Sequence, residues 1–173
     1  KVLSWEFSFV EAWQIPPAQQ LIRPGPRWRQ YLVRPDFLGA VFSVYQRVRV
    51  RGRIGAGPGA TLPHALRQLL LQLSSVHGDI FQDELHRQAY ASFLVEGAAS
   101  VLANPLLPAG GTGGEGGGAP GPLKDAQLEE YVGIASMAVR LIANFKLRTL
   151  AHLPSFTGFV HQLSGLTSAV LQD

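Results

Sequence analysis

Four arginines at alternate positions, Arg47, Arg49, Arg51 and Arg53, form the densest run of chemical capacity in the chain. A guanidinium is planar, permanently charged and able to grip a carboxylate or phosphate through two parallel hydrogen bonds. Such a run can be a solvated loop, a speculative protein-partner surface for acidic groups, or a contact to nucleic acid. Aromatic interleaving is thin, with Tyr45 the ring close by, which argues against single-stranded nucleic acid. A nucleic-acid contact would also lose affinity steeply with added salt.

Gly52, Gly55, Gly57 and Gly59 follow directly, ahead of a helical pattern, and Val48-Arg49-Val50-Arg51 alternates as a strand does. A phosphate-binding loop fails on its details. Neither dinucleotide-fingerprint spacing is met, Pro58 removes an amide the cradle would use, and no Lys-Ser/Thr pair follows. His64, His77, His86, His152 and His161 lack metal-ligand spacing, and the chain has no cysteine to complete a thiolate site. His77 reads instead as a donor to the last carbonyls of a helix. No Gly-x-Ser-x-Gly elbow is present. Asp83/Glu84 and Glu129/Glu130 both fall where first helical turns are expected, so capping and the helix dipole account for them. Catalytic residues, a cofactor site and a metal site are therefore all absent from the expectation, and the chain reads as a non-enzyme.

What must position any of these groups is helical. Leu66, Leu69, Leu70, Leu73 and Val76 recur at three- and four-residue steps, marking one face of a helix that starts at Thr61 and Pro63. Gly78 suits the left-handed conformation that ends a helix, and Asp79 with Gln82 can cap the next one. That second helix is expected to bury Leu85, Ala89, Phe93, Leu94, Val101 and Leu102 and to stop at Asn104-Pro105, with Gly97 permitting a close helix contact. The tight break between the two makes them antiparallel neighbours. Upstream, Asp36 is expected to cap a helix bearing Phe37, Leu38, Val41, Phe42, Tyr45 and Val48, which dissolves at Gly52 to Gly59.

Downstream, a helix from about Lys124 to Phe145 has Asp125, Glu129 and Glu130 early and Lys146 and Arg148 after its end. Ser155 is a candidate cap for another, carrying Phe156, Phe159, Val160, Leu163, Leu166 and Val170. Lys1 to Phe7 resembles the tail of a helix, and Ser8 to Arg27, with four prolines, reads as an irregular crossing. Trp5, Trp13 and Trp28 are expected to anchor core or crossing segments. Pro105 to Pro122 is almost all Gly, Pro and Ala and reads as a flexible insertion.

The 173 residues are 46% hydrophobic and 16% charged, enough apolar material for a core, and the formal charge of +3 gives only a mildly basic balance. No run approaches the roughly eighteen consecutive apolar residues of a membrane span, so no membrane insertion is expected. Absent cysteines suit a reducing compartment. Successive helix pairs recur, once the insertion is set aside, with a period in the mid-forties, that of HEAT or armadillo units. The expected fold is all-α: one HEAT/armadillo-like α-solenoid segment over residues 1–173, cut from a longer chain and therefore poorly behaved alone. A closed helical bundle is the rival.

Three runs add a resemblance. Leu3-Ser4-Trp5-Glu6-Phe7, Trp28-Arg29, and Leu73-Ser74-Ser75-Val76-His77-Gly78-Asp79-Ile80-Phe81-Gln82-Asp83-Glu84 resemble exportins of the karyopherin (importin-beta) family. Tyr131 to Ile134, Leu153 to Ser155 and the stretch on to Leu171 are similar in the same order. The resemblance implies a HEAT superhelix that binds protein cargo together with Ran-GTP, contacts nuclear pore proteins, and shuttles between nucleus and cytoplasm without being an enzyme. It carries no family binding residue onto a numbered position here. A non-transport HEAT-type interaction scaffold is the alternative.

Overall fold

In this computed structural model the structure describes residues 22–51, 61–104 and 122–172. After a 3-10 turn at Pro26–Trp28, α1 spans Arg29–Leu32, α2 Pro35–Arg51, α3 Thr61–Ser74 and α4 Glu84–Ala103. Then α5 spans Pro122–Phe145, α6 Leu147–Leu150 and α7 Pro154–Gln172. The described residues contain no strand, only an isolated bridge of Ile22 with Val76. The fold is all-α.

Helix–helix contacts arrange these elements in two layers. In one, α4 lies between α2 and α7; in the other, α3 packs on α5. Across the layers α2 packs on α3, and α4 on α5. The pairs are thus α2/α3 and α4/α5, each joined by one of the two glycine-rich connections. The tight break at Gly78 joins successive pairs, which corrects the expectation that α3 and α4 lie back to back. They meet at the turn, where the Tyr90 hydroxyl donates to the Leu73 carbonyl at 2.8 Å.

The core follows from the apolar faces. Leu38, Val41, Phe42 and Tyr45 of α2, Leu70, Leu71 and Leu73 of α3, and Ile134, Met137 and Leu141 of α5 form one buried cluster with α4 and α7. On α4 the buried face is Tyr90, Ala91, Leu94, Val95, Ala98 and Val101. Leu85, Ala89 and Phe93 point to solvent, against expectation. Apolar side chains fall on more than one side of this helix, so periodicity does not select its inner face. Gly97 behaves as expected, because a Cβ there would lie 2.3 Å from the Phe42 ring. Phe81, Tyr90 and Phe145 close the turn end with ring centroids 5.2 Å apart for Phe81–Tyr90 and 6.3 Å for Phe81–Phe145. Trp28 packs partly buried against the core, edge-on to Tyr31 at 6.1 Å. Trp5 and Trp13 lie outside the described residues, as do Lys1 to Phe7 and the insertion up to residue 121. Pro122 is already helical.

Helix starts differ from the expected caps in instructive ways. Gly78 has φ +91°, the left-handed conformation the break requires. The cap of α4 is Asp83, whose side chain accepts from the His86 amide at 2.8 Å, whereas Asp79 sits in the preceding turn. Proline opens α2 and α7, where its missing N–H is harmless, so Asp36 lies in the first turn of α2. Ser155 is no cap either, since its Oγ is buried without a hydrogen-bond partner.

Two predictions arise from these ends. The backbone and side-chain hydrogen bonds from His86 hold the Asp83 carboxyl below the usual carboxylate range. A depressed folded value means the contribution is present above the unfolded pKa and disappears as pH falls through the folded one. The melting-temperature gap between wild type and Asp83→Ala is therefore expected at neutral pH and should shrink once pH drops below about 3.8. Lys146, between α5 and α6, has φ +62°, the non-glycine exception among the described residues. Lys146→Gly should raise stability by about 0.5–1 kcal/mol in a urea titration, relieved strain outweighing glycine's larger unfolded-state entropy.

Candidate partner surface and the buried polar node

The arginine run does not form a strand or a loop as far as Arg51, because α2 continues to that residue. In a helix of 3.6 residues per turn, alternate residues point to nearly opposite sides. Arg47 is exposed, and Arg49 turns inward and is buried. Arg51 ends the helix, and Arg53 lies outside the described residues. Arg49 is thereby withdrawn from the expected partner surface. The alternation of Val48-Arg49-Val50-Arg51, which passes for a strand in the sequence, falls within this helix.

What Arg49 does instead defines the most concentrated chemistry in the molecule. Its Nη1 donates to Glu130 Oε1 at 2.8 Å and to the Val101 carbonyl at 3.1 Å. Its Nη2 donates to the Asn104 carbonyl. The Tyr45 hydroxyl donates to the other Glu130 oxygen, Oε2, at 2.8 Å. Both ionic side chains are almost fully enclosed, 5% and 8% exposed. Burial, reinforced by the Glu130 charge, pushes the Tyr45 hydroxyl above its ordinary pKa and keeps it a neutral donor. Just outside, Arg67 of α3 pairs with Glu129 at 2.6 Å.

Three helices are tied by this node. Tyr45 and Arg49 come from one face of α2, Val101 and Asn104 from the end of α4, and Glu130 from α5. The expectation that Glu130 lies in a first turn fails because α5 begins at Pro122, which places Glu130 in the third turn, facing the core. A buried ion pair tied by further hydrogen bonds to a hydroxyl and two carbonyls organises geometry, even with the Arg49 Nε–H left without a partner. Among the described residues no three of His, Asp and Glu come close enough to hold a metal ion, and no helix is long and apolar enough to cross a membrane.

At the opposite ends of the helices a second polar cluster forms around Asn144, which sequence reasoning missed. Its Nδ2 donates to the Val76 carbonyl at 2.6 Å and the Ser74 carbonyl at 3.2 Å, satisfying the C-terminus of α3. Its Oδ1 meets His77 Nδ1 at 2.8 Å, so His77 serves this side chain rather than helix carbonyls. Arg87 donates to the Asn144 carbonyl at 2.5 Å and lies 5.1 Å over the Phe145 ring. Arg140 donates to Ser75 Oγ at 3.0 Å, its pKa lowered by burial, and Arg29 donates to the Ile80 carbonyl at 2.6 Å. A polar residue amid an apolar stretch, Ala143-Asn144-Phe145, was the available signal.

The chain matches no family model and no solved structure.

Proposed function

We propose that this chain is part of a nuclear export receptor of the karyopherin family, which binds protein cargo together with Ran-GTP and carries it through the nuclear pore. The observation that carries the reading is the order of packing: pair α2/α3 followed by pair α4/α5, with α7 added to the first layer. Each helix of the two pairs packs on its partner and on the equivalent helix of the other pair, which supports a stacked α-solenoid. The run from Leu73 to Glu84, which carries the resemblance, occupies the tight turn between pairs. Its residues have evident structural work there: Gly78 at positive φ, Ile80 and Phe81 buried, and Asp83 capping α4. Within the family these runs resemble exportin four more than the exportin seven group.

In this reading the segment is scaffold, non-enzymatic and without cofactor, and the full receptor shuttles between nucleus and cytoplasm and meets nuclear pore proteins. Small rotations between stacked pairs add up to large changes in curvature, the means by which such an arch grips and releases cargo. Arg47, exposed on α2, remains available to a partner and Arg49 does not. A HEAT-type scaffold outside transport shares the same packing, and Ran separates the two. The test is capture of the full-length parent protein by Ran loaded with non-hydrolysable GTP or with GDP. Selective capture by the GTP form, strengthened by cargo, is expected; equal or absent capture overturns the transport reading.

A further inference from the structure

The outer face of α5 carries an apolar stripe that the core does not use. Leu128, Val132, Val139 and Ile142 are 47%, 53%, 52% and 37% exposed. With the half-buried Ala135 they recur at steps of four, three, four and three residues. That is the spacing of a helix packed along one other helix at a shallow angle. The stripe lies away from the buried face of Ile134, Met137 and Leu141, and α7 reaches only its edge, where the Tyr131 hydroxyl donates to the Leu163 carbonyl at 3.1 Å. Its neighbour in the same layer differs. Opposite its own buried residues, α3 presents Ala65, Gln68 and Gln72.

Charge around the stripe is uneven. At its N-terminal end Glu129 is already matched by Arg67 at 2.6 Å. Past its C-terminal end Lys146 and Arg148 are both exposed, and neither forms an ion pair among the described residues. A complementary helix therefore needs an apolar stripe of matching spacing and carboxylates at the end that meets these cations. Acidic residues favour the first turn of a helix, and antiparallel alignment opposes the two dipoles.

We propose that this stripe is a docking surface for an amphipathic helix of a protein partner, lying antiparallel to α5 with its acidic first turn over Lys146 and Arg148. The surface goes beyond the transport reading and does not rest on it.

The test is fluorescence anisotropy of the full 173-residue chain with a labelled probe peptide. The peptide has about 18 residues, enough for a marginal helix, with leucine at the same steps and glutamate in its first turn. A control of identical composition carries the glutamates in its last turn. Saturable binding is expected, weakened about tenfold by Val132→Asp or Val139→Asp and also weakened for the control peptide. Both valines are exposed, so circular dichroism should show each variant folded. Absence of saturable binding, binding indifferent to both variants, or equal binding of the two peptides overturns the proposal. So does self-association in sedimentation that Val139→Asp abolishes, since the occupant is then a second copy. No Ran is present in the titration, so its failure leaves the transport reading untouched.

Discussion

Replacing Gly97 with alanine is expected to destabilise the protein by about 2 kcal/mol, although alanine is the better helix former. A methyl group there would sit 2.3 Å from one carbon of the Phe42 ring and within 2.5 Å of two others. The ring is rigid and buried between α2 and α4, so the helices must separate or Phe42 must leave its place. Overpacking a dense interior typically costs about 1–3 kcal/mol, the upper end applying to an approach this short, and the propensity gain from removing a glycine offsets about 1 kcal/mol of it. For a chain of this size the melting temperature should fall by roughly 5 °C. Adding Phe42→Leu to Gly97→Ala should cost less than the sum of the two single changes, because the shortened side chain vacates the contested space. Simple additivity in that cycle, or a stable Gly97→Ala variant, would show that the close approach is not the constraint.

The other large effect is at the node. Glu130→Ala leaves Arg49 charged, enclosed and facing only carbonyls, and removes the acceptor of the Tyr45 hydroxyl. Breaking a buried pair from one side costs about 3–5 kcal/mol, because the orphaned charge has neither water nor partner. Arg49→Met should be comparably harmful, since it leaves the buried Glu130 carboxylate with only the Tyr45 hydroxyl as donor. The double change Arg49→Met with Glu130→Leu should recover most of the loss, an apolar pair of similar volume often being as stable as the ionic one. Urea titrations of the three variants distinguish this pattern from a surface pair, for which all three would lie within about 1 kcal/mol of wild type.

How much of this was legible in the chain depended on whether one signal stood alone. The inner face of α2 was readable because Leu38, Val41, Phe42 and Tyr45 recur at three- and four-residue steps. Gly78 and Gly97 were readable because each sits where a side chain has a definite obstacle, a left-handed turn in one case and a crowded crossing in the other. The face of α4 was not, since Leu85, Ala89 and Phe93 offer as good a stripe as Tyr90, Leu94 and Val101. Only the neighbours α2 and α7 decide between them. The sequence points to Arg49 as a member of an accessible run and to Glu130 as a first-turn charge, because burial of an ion pair depends on two residues far apart in sequence meeting. No local pattern announces that meeting. Asn144 escaped for the same reason: its role is set by the end of α3, which α5 reaches only through tertiary packing.

The two polar clusters differ in what accepts the hydrogen bonds. Around the Gly78 turn, Arg29, Arg87, Arg140 and Asn144 give most of their hydrogens to backbone carbonyls and a hydroxyl, groups that neither take up protons in acid nor exchange partners with salt ions as readily as carboxylates do. At the other ends of the same helices, Arg49, Arg67 and Tyr45 give theirs largely to Glu130 and Glu129. Acid and concentrated salt should therefore loosen the Glu130 rim more than the Gly78 rim, where the Asp83 cap and the exposed Arg87–Glu84 pair are the carboxylate contacts at stake. Amide exchange would register this as early loss of protection at the α2 and α4 C-termini while the amides beside Gly78 stay closed.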